Sequence, residues 1–287
     1  MNKKISVAHS PDADDIFMYM AIKFGWVGNA YKYENIALDI QTLNELALQN
    51  IYDVSAISFA LYPLIASEYA LLKTAVSFGE GYGPKLIKKK DKKLKPNFKV
   101  ALSGAHTTNA LIFRIKYPQA RIIYKNFLEI EKAVLEDEVD AGVLIHESIL
   151  EFNDDLCVEA ELWDIWQELA KDDLPLPLGG MALRRSLPLN DAIAVEKDLI
   201  KAVEVADNNR KILASMLLER NLIRVDAQKL DVYLNLYANK NSINMNDKQY
   251  EAIDKLFELG FNHGFYEKLI KSKDYLIPSE YEEFRNS

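Results

Sequence analysis

The sequence holds one cysteine, Cys157, so no disulfide can form within the chain. Its neighbours Asp154, Asp155 and Glu159 supply nothing that would lower a thiol pKa, and a plain packing role is expected of it. Histidine is scarce, at four residues, and no Cys/His set has the spacing of a zinc site. Positive charge is outnumbered: 35 Lys and Arg stand against 43 Asp and Glu, for a net charge of −8. General nucleic-acid binding needs a basic footprint and is therefore not expected. No apolar run is long enough to span a membrane. Met1-Asn2-Lys3-Lys4 leads into a short strand and then Ser10-Pro11-Asp12-Ala13-Asp14-Asp15, without the apolar stretch and small-residue cleavage site of a signal peptide. A cytoplasmic location is expected, with neither nucleic acid nor membrane as partner. No phosphate loop or dinucleotide fingerprint occurs. Gly79-Glu80-Gly81-Tyr82-Gly83-Pro84 has no helical pattern after it and reads as a turn between lobes.

What is present is an ordinary globular composition, 49% hydrophobic and 27% charged, in 287 residues, more than one compact core usually holds. Two lobes are the default expectation, and the chain repeats one unit. Ile5 to His9 reads as a buried strand, Ser10-Pro11 as the start of a helix, and Ile36 to Ile40 as a strand. Thr42-Leu43-Asn44-Glu45 has the pattern of a capping box, and Val54 to Ser58 is a third strand. The order recurs: Phe98 to Leu102, a polar turn Ser103 to Asn109 opening a helix, Arg121 to Tyr124, a helix opened at Asn126, and Ala141-Gly142-Val143-Leu144-Ile145-His146-Glu147. Asp53 and Asp140 precede the two third strands equivalently. A βαβαβ unit used twice predicts an α/β fold of two mostly parallel sheets flanked by helices, with a ligand cleft between the lobes. Residues 1–90 with 188–287 are expected to form one lobe and 91–187 the other. The lysine-rich Lys88 to Pro96 reads as a solvated loop between them. Prolines and glycines in Leu174 to Arg185 interrupt helix and strand alike, and the chain from Ala192 onward reads as successive amphipathic helices.

Two places carry chemistry. A helix N-terminus offers unpaired N–H groups, so Ser103 to Asn109, with Thr107, Thr108 and Asn109, is the best carboxylate or phosphate site in the chain. Ser58, at the equivalent end of the other unit, should face the same cleft. His146 ends a buried strand where open α/β sheets place their ligand crevice, and a neutral imidazole there can accept a proton. His9 and His106 are weaker candidates for the cleft, and His263 reads as a helix end. Asp12, Asp14 and Asp15 sit too close together on one turn for a good metal site. Dipole compensation explains them, and Asp14 or Asp15 could reach ligand hydroxyls.

Taken together, Ser10-Pro11 with Asp14-Asp15 and Phe17, Ser58, Thr107-Thr108, Gly142 to Glu147, and Pro177-Leu178-Gly179-Gly180 with Arg184-Arg185 resemble the 1,4-dihydroxy-6-naphthoate synthase family of the futalosine route to menaquinone. The resemblance runs from about Ile5 to Arg185. It implies a type-II periplasmic-binding-protein-like fold and a carbon–carbon lyase that releases the naphthoate from cyclic dehypoxanthine futalosine. It implies His146 as proton acceptor, and Ala56, Ile57, Ser58, Thr108 and Asn109 as substrate contacts. Gain of aromaticity drives such a step, so neither metal nor cofactor is expected, and the partner is a small carboxylated substrate. Asn109 stands where a small residue is usual, and Asp12-Ala13-Asp14-Asp15 replaces the commoner Cys-Pro-Asn-Asp. Two further readings remain open at this point: a solute-binding protein for a carboxylated ligand, and the sister enzyme chorismate dehydratase, which shares the architecture.

Overall fold

The structure is a computed structural model that describes residues 3–27, 31–223, 225–238 and 240–278. Met1, Asn2 and the last part of the expected helical tail lie outside the described residues. The first half of the chain runs β1 (Lys3–His9), α1 (Ala13–Lys23), β2 (Tyr31–Ala37), α2 (Ile40–Leu48), β3 (Val54–Ser58), a 3-10 turn at Phe59–Leu61, α3 (Tyr62–Ile65), β4 (Tyr69–Leu71) and β5 (Ser77–Gly79). It continues through β6 (Lys85–Lys89), β7 (Lys99–Leu102), α4 (Thr108–Lys116), β8 (Arg121–Tyr124), α5 (Phe127–Leu135), β9 (Ala141–Leu144), a 3-10 turn at His146–Ile149, β10 (Leu156–Glu161), α6 (Leu162–Ala170) and β11 (Leu176–Arg184). Four helices follow: α7 (Leu189–Asn208), α8 (Arg210–Glu219), α9 (Ala227–Tyr237) and α10 (Asp247–Asn262).

These elements form two sheets, each the centre of a lobe. The first has the order β2-β1-β3-β11-β4, with β5 also on β11, and the second β10-β6-β9-β7-β8. In each, three strands of the repeated unit pair in parallel: β1 with β2 and β3, and β7 with β8 and β9. Val54–Ser58 and Ala141–Leu144 are buried throughout, as central parallel strands covered on both faces must be. Antiparallel strands complete each sheet, β11 against β3 in the first and β6 against β9 in the second. Asp53 accepts hydrogen bonds from the Ser6 N–H and hydroxyl, each at 3.0 Å, and Asp140 accepts one from the Lys99 N–H at 2.8 Å. Each aspartate thus ties the entry of a third strand to the first strand of its unit.

Several boundaries differ from the sequence reading. β6 belongs to the second sheet and β11 to the first, so the chain crosses between sheets at 80–84 and again between α6 and β11. Both crossings come earlier than residues 90 and 187. Lys88 and Lys89 therefore lie in a paired strand, where Lys88 meets Glu159 at 2.9 Å and Lys89 meets Asp137 at 2.6 Å. The adjacent apolar pair Leu86-Ile87 ahead of the run was the signal, outweighed by the charge that follows it. Within 174–185, Leu176–Arg184 form a nine-residue strand whose pairing shifts between Pro177 and Gly179, which accommodates the missing proline N–H. Glycine is required beside that shift: a Cβ at Gly179 would lie 2.8 Å from the Ile57 carbonyl oxygen, and one at Gly180 2.9 Å from the Phe59 ring.

Helix starts also move. Asp12, not Ser10, occupies the N-cap position of α1, because the Ser10 N–H is bound by Asp15 Oδ2 at 2.8 Å ahead of the helix. Asp39 caps α2 through the Gln41 and Thr42 N–H groups, which places the Thr42–Glu45 pattern inside the helix. Thr107 and Asn126 cap α4 and α5. Helices α7, α8 and α9 pack on α1, and α10 packs on both β11 and α6, so the C-terminal helices touch elements of both lobes.

Candidate active site

The two sheets point the carboxyl ends of β1, β3 and β9 at one cleft, the place where open α/β sheets bind ligands. The cleft holds about 760 Å³ of atom-free space, part of it open to solvent. His146, Asp14, Ala56, Ile57, Ser58, Thr107, Thr108 and Asn109 all line it. Buried polar groups in folded proteins are normally hydrogen-bonded. Here the seven buried side-chain polar atoms without a partner, among the described residues, include Ser10 Oγ, Asp12 Oδ1, Asp14 Oδ1, Asn109 Oδ1 and His146 Nε2. All five belong to residues that line this cavity.

One wall is acidic and comes from the start of α1 together with His146. His146 has a φ of 54°, a left-handed conformation that few non-glycine residues adopt. Its Nδ1 lies 2.6 Å from Asp12 Oδ2, and the Phe127 ring packs edge-on with centroids 5.0 Å apart. With Nδ1–H committed to Asp12, Nε2 is the ring nitrogen left for other chemistry. Glu147 turns to the start of α1 and accepts a hydrogen bond from the Ala13 N–H at 3.1 Å.

Charge in this wall is strongly interdependent. Burial works against a charged His146, but Asp12, with Glu147 and Asp14, outweighs it and pushes the imidazole up to about 9. Burial, reinforced by Asp15 and Asp12, holds the Asp14 carboxyl well above the usual carboxylate range. Burial and Asp12 raise Asp15 to about 6, against the pull of His9 and the Ser10 N–H. At neutral pH the wall therefore sets a protonated His146 against Asp12, while burial and its acidic neighbours bias Asp14 toward its neutral form. The sequence reading expected a neutral imidazole; Asp12, with Glu147 and Asp14, is what raises its proton affinity.

The opposite wall is neutral. Thr107 Oγ1 accepts from the Ala110 N–H at 3.2 Å and donates to the Gly104 carbonyl at 3.0 Å. Thr108 Oγ1 accepts from the Ala60 N–H at 3.2 Å and donates to the Leu178 carbonyl at 2.9 Å, joining α4 to the other lobe. The two hydroxyls expected to meet a ligand are thus engaged within the protein. Donors for an anion on this side are the first-turn N–H groups of α4, which have no intrahelical acceptor. Among the described residues, no lysine or arginine lines the cleft.

Ser58 is held by a residue the sequence reading did not single out. Asn44, on α2 and fully buried, accepts from the Ser58 N–H and donates to Ser58 Oγ, each at 3.0 Å. Replacing Asn44 by alanine strands both groups in a dry site. The variant should lose about 1–3 kcal/mol of stability, read as a lower midpoint in urea unfolding. An unchanged midpoint would mean that Ser58 finds other partners.

Tyr233 and Tyr237, one helical turn apart on α9, supply the aromatic wall. Their i,i+4 spacing was the available signal. Burial holds both phenols well above the ordinary tyrosine range, so they stay neutral. His9 stays behind the site: it stacks on Tyr19 at 5.0 Å, and its ring nitrogens lie 2.7 Å from the Ser10 carbonyl oxygen and 2.5 Å from Asn35 Oδ1. His106 lines a separate surface groove with Arg114 and Phe265. His263 terminates α10. Among the described residues, no group of three or more His, Cys, Asp or Glu is placed to hold a metal ion. No helix among them is long and apolar enough to cross a membrane.

Comparison with known proteins places this cleft in a lineage. A family model described as menaquinone biosynthesis matches residues 5–262. A protein of Thermus thermophilus named 1,4-dihydroxy-6-naphthoate synthase is 27% identical over 262 residues, covering 88% of this chain and 92% of its own. One of Streptomyces coelicolor with the same name is 28% identical over 257 residues, covering 87% and 90%. A crystal structure of an Archaeoglobus fulgidus protein superposes with a TM-score of 0.85 at 33% identity, over 91% of this chain and 98% of that one. The ligand-binding component of an ABC-type import system from Staphylococcus aureus superposes at 0.69 with 12% identity, over 98% of both chains. That second likeness is one of fold, periplasmic-binding-protein-like in both lobes.

Proposed function

The chain belongs to the menaquinone biosynthesis family, and from that premise we propose that it is a carbon–carbon lyase converting cyclic dehypoxanthine futalosine to 1,4-dihydroxy-6-naphthoate. The observation that carries the reading is His146: a histidine whose buried Nε2 has no partner and whose side chain lines the cleft, in a chain whose named relatives are naphthoate synthases. His146 Nε2 takes a proton from the substrate. The electron pair left behind forms a new π bond in the ring as the carbon–carbon bond breaks; the bonding pair departs with the released fragment, which takes up a proton, and the new ring becomes aromatic. The Asp12 carboxylate stabilises the imidazolium that forms.

The walls orient the substrate by charge. A carboxylate is repelled by the acidic wall and drawn to the N–H groups and positive dipole end of α4. The hydroxyl-bearing part then faces Asp14, Asp15 and Ser10, with Ser58, Ala56 and Ile57 along the floor and Asn109 beside α4. Tyr233 and Tyr237 give the flat product an apolar face.

Purified protein incubated with cyclic dehypoxanthine futalosine is expected to release 1,4-dihydroxy-6-naphthoate, detected by mass. Tight binding without product would make the chain a binding protein. Turnover of chorismate instead would make it the dehydratase of the same architecture.

A further inference from the structure

We propose that Asp12 is a positioning residue for His146, contributed across the cleft from the opposite lobe. The inference rests on His146 being the base, and adds what sets its tautomer and proton affinity. Asp12 follows β1 of the first sheet, whereas His146 follows β9 of the second. The two meet at 2.6 Å from opposite sides of the cavity. Asp12 is only 3% exposed, so its charge is unscreened and its position well defined.

The contact has the geometry of an orienting pair. Asp12 Oδ2 takes Nδ1–H, which fixes the tautomer that leaves Nε2 toward the cavity. The Phe127 ring packs edge-on against the imidazole and limits the space in which it can turn. The left-handed backbone at His146 is a local cost that the surrounding contacts must hold in place, as is common at functional sites. The neighbouring pair repeats the cross-lobe docking one residue on, where the Ala13 N–H meets Glu147 Oε1. Two consecutive residues of one lobe therefore register on two consecutive residues of the other. An open cleft would separate the imidazole from its carboxylate and leave a weaker, less oriented base.

The test is Asp12→Asn, which keeps the shape and an acceptor oxygen but removes the charge. Asp14 on α1, Glu147 beside His146 and Tyr233 on α9 stay in place in that variant; because Asp12 also raises Asp14 and Asp15, its loss lets both ionise more readily, which offsets part but not all of the change at His146. His146 titrated by its imidazole nitrogen resonances should lose at least tenfold in proton affinity. The rising limb of kcat/KM should move to lower pH by the same amount. Plateau kcat should fall at least tenfold, with KM within about threefold. Asp12→Glu should recover part of the proton affinity, and it serves as the second variant if the asparagine form folds poorly. An unchanged His146 titration in the asparagine variant overturns the proposal; if only the glutamate variant folds, an unchanged kcat despite the displaced carboxylate overturns it. A shifted titration with an unshifted rate profile overturns the assignment of His146 as the base, and with it the catalytic meaning of the pair.

Discussion

Replacing His146 by asparagine should lower kcat by about a hundred- to ten-thousand-fold, the usual contribution of a positioned general base. Asparagine is the informative choice for two reasons. After glycine it is among the residues that best tolerate the left-handed backbone seen at φ 54°. Its amide N–H can also still donate to Asp12, so the buried carboxylate at 2.6 Å keeps a partner and the fold is spared. What the variant lacks is a nitrogen able to take a proton. Binding of substrate or product, followed by calorimetry, should stay within about threefold, because the ring contributes little ground-state contact compared with α4 and the tyrosines. A variant with near-normal turnover would remove His146 from the mechanism.

Activity should also climb steeply with pH. Accepting a proton requires neutral His146, and the acidic wall holds its proton up to about pH 9. The active fraction is then about one in a hundred at pH 7 and one in ten at pH 8. For the free enzyme, kcat/KM should rise about tenfold per pH unit over that range and level off near 9. The sign follows from the base role: a group whose pKa is raised by neighbouring carboxylates loses its proton only at higher pH, and only then acts. Asp15, raised to about 6, is already ionised across the window and adds no slope there. A profile flat between pH 7 and 9 would show that a different group accepts the proton. A falling one would make imidazolium His146 the active form, an acid instead of a base.

The sequence made much of this site legible because function and strand ends coincide. Val54 to Ser58 and the run into His146 are short, uninterrupted apolar segments flanked by polar turns, and both fold as central buried strands. Once two copies of that unit are recognised, parallel pairing sends Ser58, the Thr107–Asn109 turn and His146 to the same end of their sheets. Local periodicity and chain order are enough for that. They also suffice for Asp53 and Asp140, which guard the opposite ends.

Other features had no local signature. The places where the chain crosses between sheets depend on which strand β6 and β11 pair with, and antiparallel partners distant in sequence decide that. A lysine run looks solvated until Glu159 and Asp137 are brought beside it. Thr108 looks like a ligand donor until Ala60 and Leu178 claim its hydroxyl. Asn44 becomes important only because α2 folds back on β3.

The sequence by itself determined the α/β class, the duplicated unit and the strand-end residues that face the cleft, because strand burial and helix starts are written in neighbours a few positions apart. Only the tertiary structure decided what His146 is. Its proton affinity and orientation come from Asp12, 134 positions away on the other lobe, and Coulomb interaction in a buried site depends on distance through space and on exclusion of water, neither of which the chain order specifies.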